Sequence, residues 1–292
     1  MQIGFVGLGS MGAPIAANLT RAGFDVTVYD RDAARVAALV ERGARPAEGL
    51  AGMGGADVVL ISVPGPPELA AVGAELLSVL APRSVIINLS TVGVDSIRAL
   101  AQAGAERGID VVDAPATGAT DGARAATLTL MVGADPQVLE RVRPVFEAIA
   151  STVLHMGAVG TGSASKLLTN MLWFIHVVAL SDAMAIAARS GMDPATFAQL
   201  VPQSAGASWV SSHDLPNLLA DDDDESFTLA LCCKDLRLIG QLEDQLGVGS
   251  DLAAAAADRF ERALERYGPT RGELAVARLA ETAMDVSIRA NR

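Results

Sequence analysis

The chain has 292 residues, 51% of them hydrophobic and 19% charged, which suits one large or two ordinary domains with a substantial core and excludes a disordered chain. A formal net charge of −12 argues against nucleic acid or an anionic membrane as partner, because both require a basic surface. The two cysteines, Cys232 and Cys233, are adjacent and give no disulfide framework.

Through the first 150 residues or so, short apolar runs alternate with helical patterns. "QIGFVGLG" predicts a strand, and "MGAPIAANLTRAG" a helix stopped by Gly23. "DVTVYD" predicts a second strand, and "RDAARVAALVERG" a helix stopped by Gly43. "DVVLISV" is a third strand, ended by Pro64 and followed by the helix "ELAAVGAELLSVL". The strand "SVIINLS", the helix "VDSIRALAQAGAERG" and the strands "IDVVDAP" and "ATLTLMVG" come next. "DPQVLERVRPVFEAIA" predicts a helix with Asp135 as N-cap and Pro136 in first position. Strands alternating with helices predict a parallel sheet covered on both faces, a doubly wound α/β domain.

Beyond about residue 160 strand patterns stop. A long helical pattern runs from roughly Ser163 to Arg189 and ends near Gly191, and further helices follow. The expected domains are therefore 1–162, α/β, and 163–292, all-helical, joined by the long helix rather than by a flexible linker. The apolar stretch 167–180 is too short to span a bilayer and is interrupted by Thr169, Asn170 and His176, so a buried helix is expected rather than a membrane segment. The chain enters its first strand at once, with no basic segment and long apolar run before it, which predicts a cytoplasmic protein without a secretory signal. The acidic run "ADDDDE" at 220–225 reads as a solvated loop.

"GLGSMG" sets Gly7, Gly9 and Gly12 in the G-x-G-x-x-G spacing, directly after a strand and opening a helix. That context predicts a dinucleotide site formed by Gly7, Leu8, Gly9, Ser10, Met11 and Gly12, with the pyrophosphate at the helix N-terminus. Asp30 ends the second strand, 18 residues after Gly12, where an acid accepts hydrogen bonds from the adenosine ribose. Its charge repels a 2′-phosphate and favours NAD, whereas Arg31 beside it would hold that phosphate and favour NADP. NAD is the preferred expectation. Val63 and Pro64 of "SVPGPP", and Ser90 and Thr91 of "NLST", follow later strands and are expected along the carboxyl edge of the sheet, beside the cofactor.

In "GTGSASKLLTN", Lys166 and Asn170 are spaced i, i+4 and share one helix face. A lysine whose pKa is brought toward neutrality by partial burial can give or take the proton of a carbonyl or hydroxyl group. Asn170 offers an amide to a substrate. By spacing alone, a solvated surface lysine is the more ordinary reading. The small residues before Lys166 are expected to let the chain pass close to cofactor and substrate.

Together, "IGFVGLGSMGAPIAANLTRAG", "DAPATGATDGA", "GTGSASKLLTN" and "KDLRLI" resemble, in order and over nearly the whole chain, the β-hydroxyacid dehydrogenase family of 3-hydroxyisobutyrate dehydrogenase and its relatives. The resemblance implies a Rossmann-type domain followed by a helical one. It also implies NAD(P)-dependent interconversion of a small 3-hydroxy acid with its semialdehyde or 3-oxo acid. It assigns Lys166 as the acid/base and Asn170 as a substrate ligand, with Thr117, Gly118 and Ala119 as the substrate loop. Lys234 is placed near cofactor and substrate, with Asp235 beside it. Where the family reads Ser-Gly-Gly, this chain has Thr117-Gly118-Ala119. The Cβ of Ala119 disfavours positive φ, so a narrower pocket or an altered turn is expected. Trp209, Ser212, His213 and Phe227 are expected to line the substrate cleft.

His155, His176 and His213 lack metal-ligand spacing, and no metal is expected. The expected partner is a small carboxylic acid, and the expected assembly a homodimer or homotetramer. Two rivals are weighed: an imine reductase of the same architecture, which the lysine at 166 disfavours, and a non-catalytic NAD(H) sensor, which would not need Lys166, Asn170 and the substrate loop together.

Overall fold

The computed structural model describes residues 1–289; residues 290–292 of the expected helical domain lie outside the described residues. The chain divides into two compact units, Met1–Lys166 and Leu167–Arg292. The division falls inside a helix, just past the expected boundary at residue 162.

The first unit is built on β1 (Gln2–Val6), β2 (Asp25–Tyr29), β3 (Arg45–Pro46), β4 (Val58–Ile61), β5 (Val85–Asn88) and β6 (Asp110–Asp113). These six strands are parallel in the order β3-β2-β1-β4-β5-β6. Successive side chains on a strand point to opposite faces, so each buried strand feeds two cores. Phe5, Leu60 and Ile87 join one with Ile15, Leu19 and Phe146. Val6, Val59, Ile61 and Ile86 join the other with Met53, Leu76 and Ile97. Helices α1 (Gly12–Arg21), α2 (Ala33–Val40), α3 (Pro66–Val79) and α4 (Val94–Ala105) cover the sheet. Strand order reverses between β1 and β4, which opens a crevice at the carboxyl ends of those strands.

Past β6 the sheet is no longer purely parallel. β7 (Ala116–Thr117) and β8 (Leu128–Gly133) are antiparallel to each other, β8 is antiparallel to β6, and β9 (Ala150–Gly157) is parallel to β8. Helix α5 (Ala119–Ala125) lies between β7 and β8, and α6 (Pro136–Glu147) between β8 and β9. Asp135 caps α6 by accepting from the Gln137 N–H at 2.7 Å. Strand β9 carries exposed Ser151, Thr152 and His155, and so lacks the apolar run that reveals the other strands.

Helix α7 (Thr161–Arg189) is continuous. It is the one helix among the described residues long and apolar enough to cross a membrane. Rather than being buried all round, it buries one face through Leu167, Phe174, Val177, Met184 and Ala185, and exposes Leu168, Leu172 and Ile186. The second unit adds α8 (Pro194–Leu200), α9 (Trp209–His213), α10 (Leu215–Leu219), α11 (Leu229–Leu246), α12 (Asp251–Tyr267) and α13 (Ala277–Met284). Phe174 and Phe260 meet edge to face at 5.1 Å in its core, and Arg259 grips Asp182 through two hydrogen bonds of 2.9 and 3.1 Å.

The acidic run is not uniformly solvated. Asp221 and Asp222 are exposed, but Asp223 is buried and pairs with Arg271 at 2.5 Å and Arg278 at 3.1 Å. Its counter-charges lie some fifty residues along the chain, beyond the reach of a local charge reading. Arg271 and Arg278 remain partly in solvent, so Asp223→Ala is expected to cost about 2 kcal/mol, below the roughly 3–5 kcal/mol of a fully buried broken pair. The neighbouring exposed Glu225→Ala is expected to stay within about 0.5 kcal/mol. Urea unfolding of the two variants checks this; equal midpoints would refute the anchoring role.

Candidate functional site

At the carboxyl end of β1 the three glycines have different reasons. Gly7 has φ +93°, and a Cβ there would lie 2.1 Å from the Ser62 carbonyl oxygen. A Cβ on Gly12 would lie 1.9 Å from the Gly7 carbonyl oxygen. Both glycines are demanded by the packing of the chain on itself. Gly9 is not: the nearest atom to its Cβ position is Arg35 Nη1 at 3.9 Å. Its open side is the space a pyrophosphate would take against the start of α1, so the loop fits the dinucleotide predicted for it. The Leu8 side chain is buried in the core, leaving its backbone to serve the loop, while Ser10 is exposed and Met11 half-buried.

Asp30 ties the end of β2 to this loop. Its Oδ2 accepts from the Leu8 N–H at 2.6 Å and its Oδ1 from the Asp32 N–H at 2.9 Å. Arg31 is exposed. Sequence reasoning missed Arg35, one helical turn later, which stands 4.0 Å from Asp30 and 3.3 Å from Asp32. At the next strands the Val63 N–H donates to Ser90 Oγ at 2.8 Å, and Asn88 holds the Ser90 backbone in both directions. Ser90 is buried and joins the loops after β4 and β5, while Pro64 is exposed and Thr91 half-buried beside them.

In the segment expected to be the substrate loop, Thr117 is exposed on β7 opposite Thr129. Gly118 has φ +122° and Ala119 φ +50°. Ala119 holds a left-handed backbone in spite of its Cβ, at a cost on the order of 1 kcal/mol. Lys166 is half-buried on the second turn of α7. The glycines before it are demanded by the packing of the fold. A Cβ on Gly162 would meet the Met131 carbonyl oxygen at 2.2 Å and the Asp113 carbonyl oxygen at 2.7 Å.

In the second unit, α11 brings Lys234 and Asp235 to Asn170. Asn170 Nδ2 donates to Asp235 Oδ2 at 2.7 Å, and Lys234 Nζ pairs with Asp235 Oδ1 at 2.8 Å. Asp235 is buried, and its carboxylate orients two neighbours. Nearby on α7, Trp173 Nε1 donates to Asp214 Oδ2 at 2.8 Å. Burial pushes the Asp214 carboxyl up to about 6, with Asp224 adding to the rise and the Trp173 hydrogen bond opposing it. Neither Trp173 nor Asp214 was anticipated. Phe227 packs edge to face on Trp173 at 6.5 Å, whereas Trp209 is exposed and stacks on His213 at 4.2 Å. Ser212 is exposed and donates to the Ser208 carbonyl oxygen at 3.2 Å. Cys232 and Cys233 are free and buried; burial pushes the Cys233 thiol up to about 12 and that of Cys232 well above its ordinary value, so neither is a ready nucleophile. Among the described residues no cluster of three or more His, Cys, Asp or Glu is placed to hold a metal.

One signal present in the sequence was overlooked. The chain has 22 basic residues, Lys and Arg together, and only Lys166 and Lys234 are lysines. Arginine supplies every other basic charge, yet arginine cannot release its proton at ordinary pH. The two titratable side-chain amines of the whole chain stand in the two motifs "GTGSASK" and "KDL".

A doubly wound sheet with a glycine-rich dinucleotide loop, followed by a helical unit presenting lysine and asparagine, defines a nicotinamide-dependent oxidoreductase. Residues 2–157 match the family model of the NAD binding domain of 6-phosphogluconate dehydrogenase. Residues 160–280 match that of the NAD-binding domain of NADP-dependent 3-hydroxyisobutyrate dehydrogenase. The chain is 35% identical over 266 residues to 2-(hydroxymethyl)glutarate dehydrogenase of Eubacterium barkeri, covering 89% of this chain and 88% of the relative. It is 37% identical over 212 residues to the NAD-dependent L-serine dehydrogenase of Pseudomonas aeruginosa, covering 71% of each. Among solved structures, 3-hydroxyisobutyrate dehydrogenase of Mycobacterium tuberculosis with L-serine superposes with a TM-score of 0.88 at 29% identity, over 96% of this chain and 99% of that one. The chain belongs to the β-hydroxyacid dehydrogenase family, whose members are NAD- or NADP-dependent hydroxyacid oxidoreductases.

The three glycines separate by experiment. Gly12→Ala is expected to lose about 2 kcal/mol of stability through overpacking. Gly9→Ala is expected to keep its melting temperature and to weaken dinucleotide binding about tenfold or more, read by fluorescence titration. Unchanged binding in Gly9→Ala would remove the cofactor from this loop. Ala119→Gly is expected to gain about 0.5–1 kcal/mol in thermal unfolding, because glycine takes the left-handed backbone without strain.

Proposed function

We propose that this chain oxidises a small 3-hydroxy acid to its semialdehyde, reversibly and with NAD preferred over NADP, and that Lys166 exchanges the proton. When bound, the nicotinamide supplies hydride chemistry. Lys166 takes the hydroxyl proton during oxidation and returns it during reduction, a role for a half-buried amine. Protonated Lys166 also stabilises negative charge on the carbonyl oxygen. Asn170, with its amide held by Asp235, orients the substrate one helical turn away. Thr117, Gly118 and Ala119 are the proposed ligands of the carboxylate, and Lys234 a proposed source of positive charge for substrate and cofactor. Asp235, proposed beside the cofactor, also holds Asn170 and Lys234. The observation that carries the reading is the restriction of lysine, in a chain of net charge −12, to these two positions.

The substrates named for the relatives share one skeleton. 3-Hydroxyisobutyrate, L-serine and 2-(hydroxymethyl)glutarate are all 3-hydroxypropanoates bearing a primary alcohol and a substituent at carbon 2. That skeleton is the proposed substrate class. Asp30 supports the preference for NAD through its charge at the end of β2. The same reading makes the protein a soluble cytoplasmic homodimer or homotetramer, which the exposed Leu168, Leu172 and Ile186 along α7 support.

Lys166→Ala is expected to lower kcat by about 10²–10⁴ with little change in dinucleotide affinity. Lys166→Arg should fail similarly, since it keeps the charge but not the exchangeable proton. Nicotinamide absorbance, followed with 2-substituted 3-hydroxypropanoates and with 2-hydroxy acids, reads both points. Full activity in Lys166→Arg would overturn proton exchange, and turnover of 2-hydroxy acids alone would overturn the substrate class.

A further inference from the structure

We propose that Asp113, at the end of β6, is a positioning residue that fixes the first turn of α7 and through it sets the place of Lys166. The proposal rests on the assignment of Lys166 as acid/base. Asp113 is fully buried, yet both of its carboxylate oxygens are engaged. Oδ1 accepts from the Gly160 N–H at 2.9 Å and Oδ2 from the Ser163 N–H at 2.6 Å. The first N–H groups of a helix have no partner within it, so a buried helix start needs an acceptor from elsewhere. Here that acceptor is a carboxylate on the central sheet, and Lys166 follows Ser163 by three residues.

The surroundings are shaped to this carboxylate. A Cβ on Gly133 would lie 2.2 Å from Asp113 Oδ1, and one on Gly162 would lie 3.0 Å from Oδ2. Gly160 has φ +101°, a backbone that turns its N–H into the pocket at little cost. Two glycines on two chain segments thus make room for one side chain, and a third, Gly160, donates to it. A generic helix cap requires none of this, since solvent satisfies an exposed helix start. Burial pushes the Asp113 carboxyl above its ordinary value, and the Gly160 and Ser163 amides offset part of that rise. The placement of Lys166 is thereby referred to the central sheet instead of to the surface.

Asp113→Asn replaces one acceptor oxygen with an amide that points N–H at N–H. A displacement near 1 Å at a reacting group costs on the order of 10²-fold, so kcat should fall by about that factor, with the dinucleotide KM little changed. A double-mutant cycle with Lys166→Ala separates positioning from general damage. If Asp113 acts through Lys166, Asp113→Asn should take nothing further from the residual activity of Lys166→Ala. Additive losses would overturn the proposal while leaving Lys166 catalytic. A Lys166→Ala variant that retains full activity would instead overturn the assignment of Lys166, and this proposal with it. If Asp113→Asn does not fold, Asp113→Ser keeps one acceptor and enters the same cycle. Failure of both to fold would assign the carboxylate to the fold alone and overturn the proposal.

Discussion

A carboxylate taken out of water costs several kcal/mol unless N–H groups or cations replace the water it loses. In this chain, within each compact unit, buried or nearly buried aspartates meet donors on or beside residues proposed for binding or catalysis. Asp30 holds the dinucleotide loop through the Leu8 amide. Asp113 holds the start of α7 through two backbone amides. Asp235 holds Asn170 and Lys234, and Asp214 holds Trp173. Asp30 and Asp113 sit at strand ends, Asp235 on a helix and Asp214 between two, and each reaches a segment remote in sequence. Because an unmade hydrogen bond to such a group is expensive, these links admit one arrangement and penalise its neighbours.

The same acidity frames the chemistry. With a net charge of −12, the chain repels small carboxylates at long range, and their recognition must come from short-range cations. Most arginines with a described partner are spent on aspartates and glutamates: Arg45 on Asp25, Arg141 on Asp110, Arg259 on Asp182, Arg278 on Asp223. The two lysines are therefore conspicuous for their chemistry as well as their scarcity. Lys234 remains partly open beside a buried Asp235, a pairing that fixes where its charge stands.

Much of this was legible in the sequence, and the limits follow from physics. Strands buried on both faces are apolar runs, so β1, β4, β5 and β6 declare themselves, whereas β9 is largely exposed and does not. The glycine loop is a local pattern and was readable, but the separate duties of Gly7, Gly9 and Gly12 depend on Ser62 and on empty space. Lys166 and Asn170 were visible through spacing and resemblance. Asp113 was not, and Asp235, named beside Lys234, gave no sign of its link to Asn170, because Asp113 meets α7 across some fifty residues and Asp235 meets Asn170 across 65. Asp223 failed the local reading for the same reason: a run of like charges predicts solvent until distant arginines are known. The left-handed backbone of Ala119 was likewise not legible, because nothing local in an alanine asks for it.

The near absence of lysine reaches beyond catalysis. Reagents that acylate or condense with amines ordinarily scatter over a protein surface. On this chain the side chains leave them two targets, Lys166 and Lys234, neither fully open to solvent. The proposed site is thus also where covalent labels, aldehydes and carbonyl metabolites would concentrate, and a semialdehyde product would be held among the few groups in the molecule able to trap it as an imine.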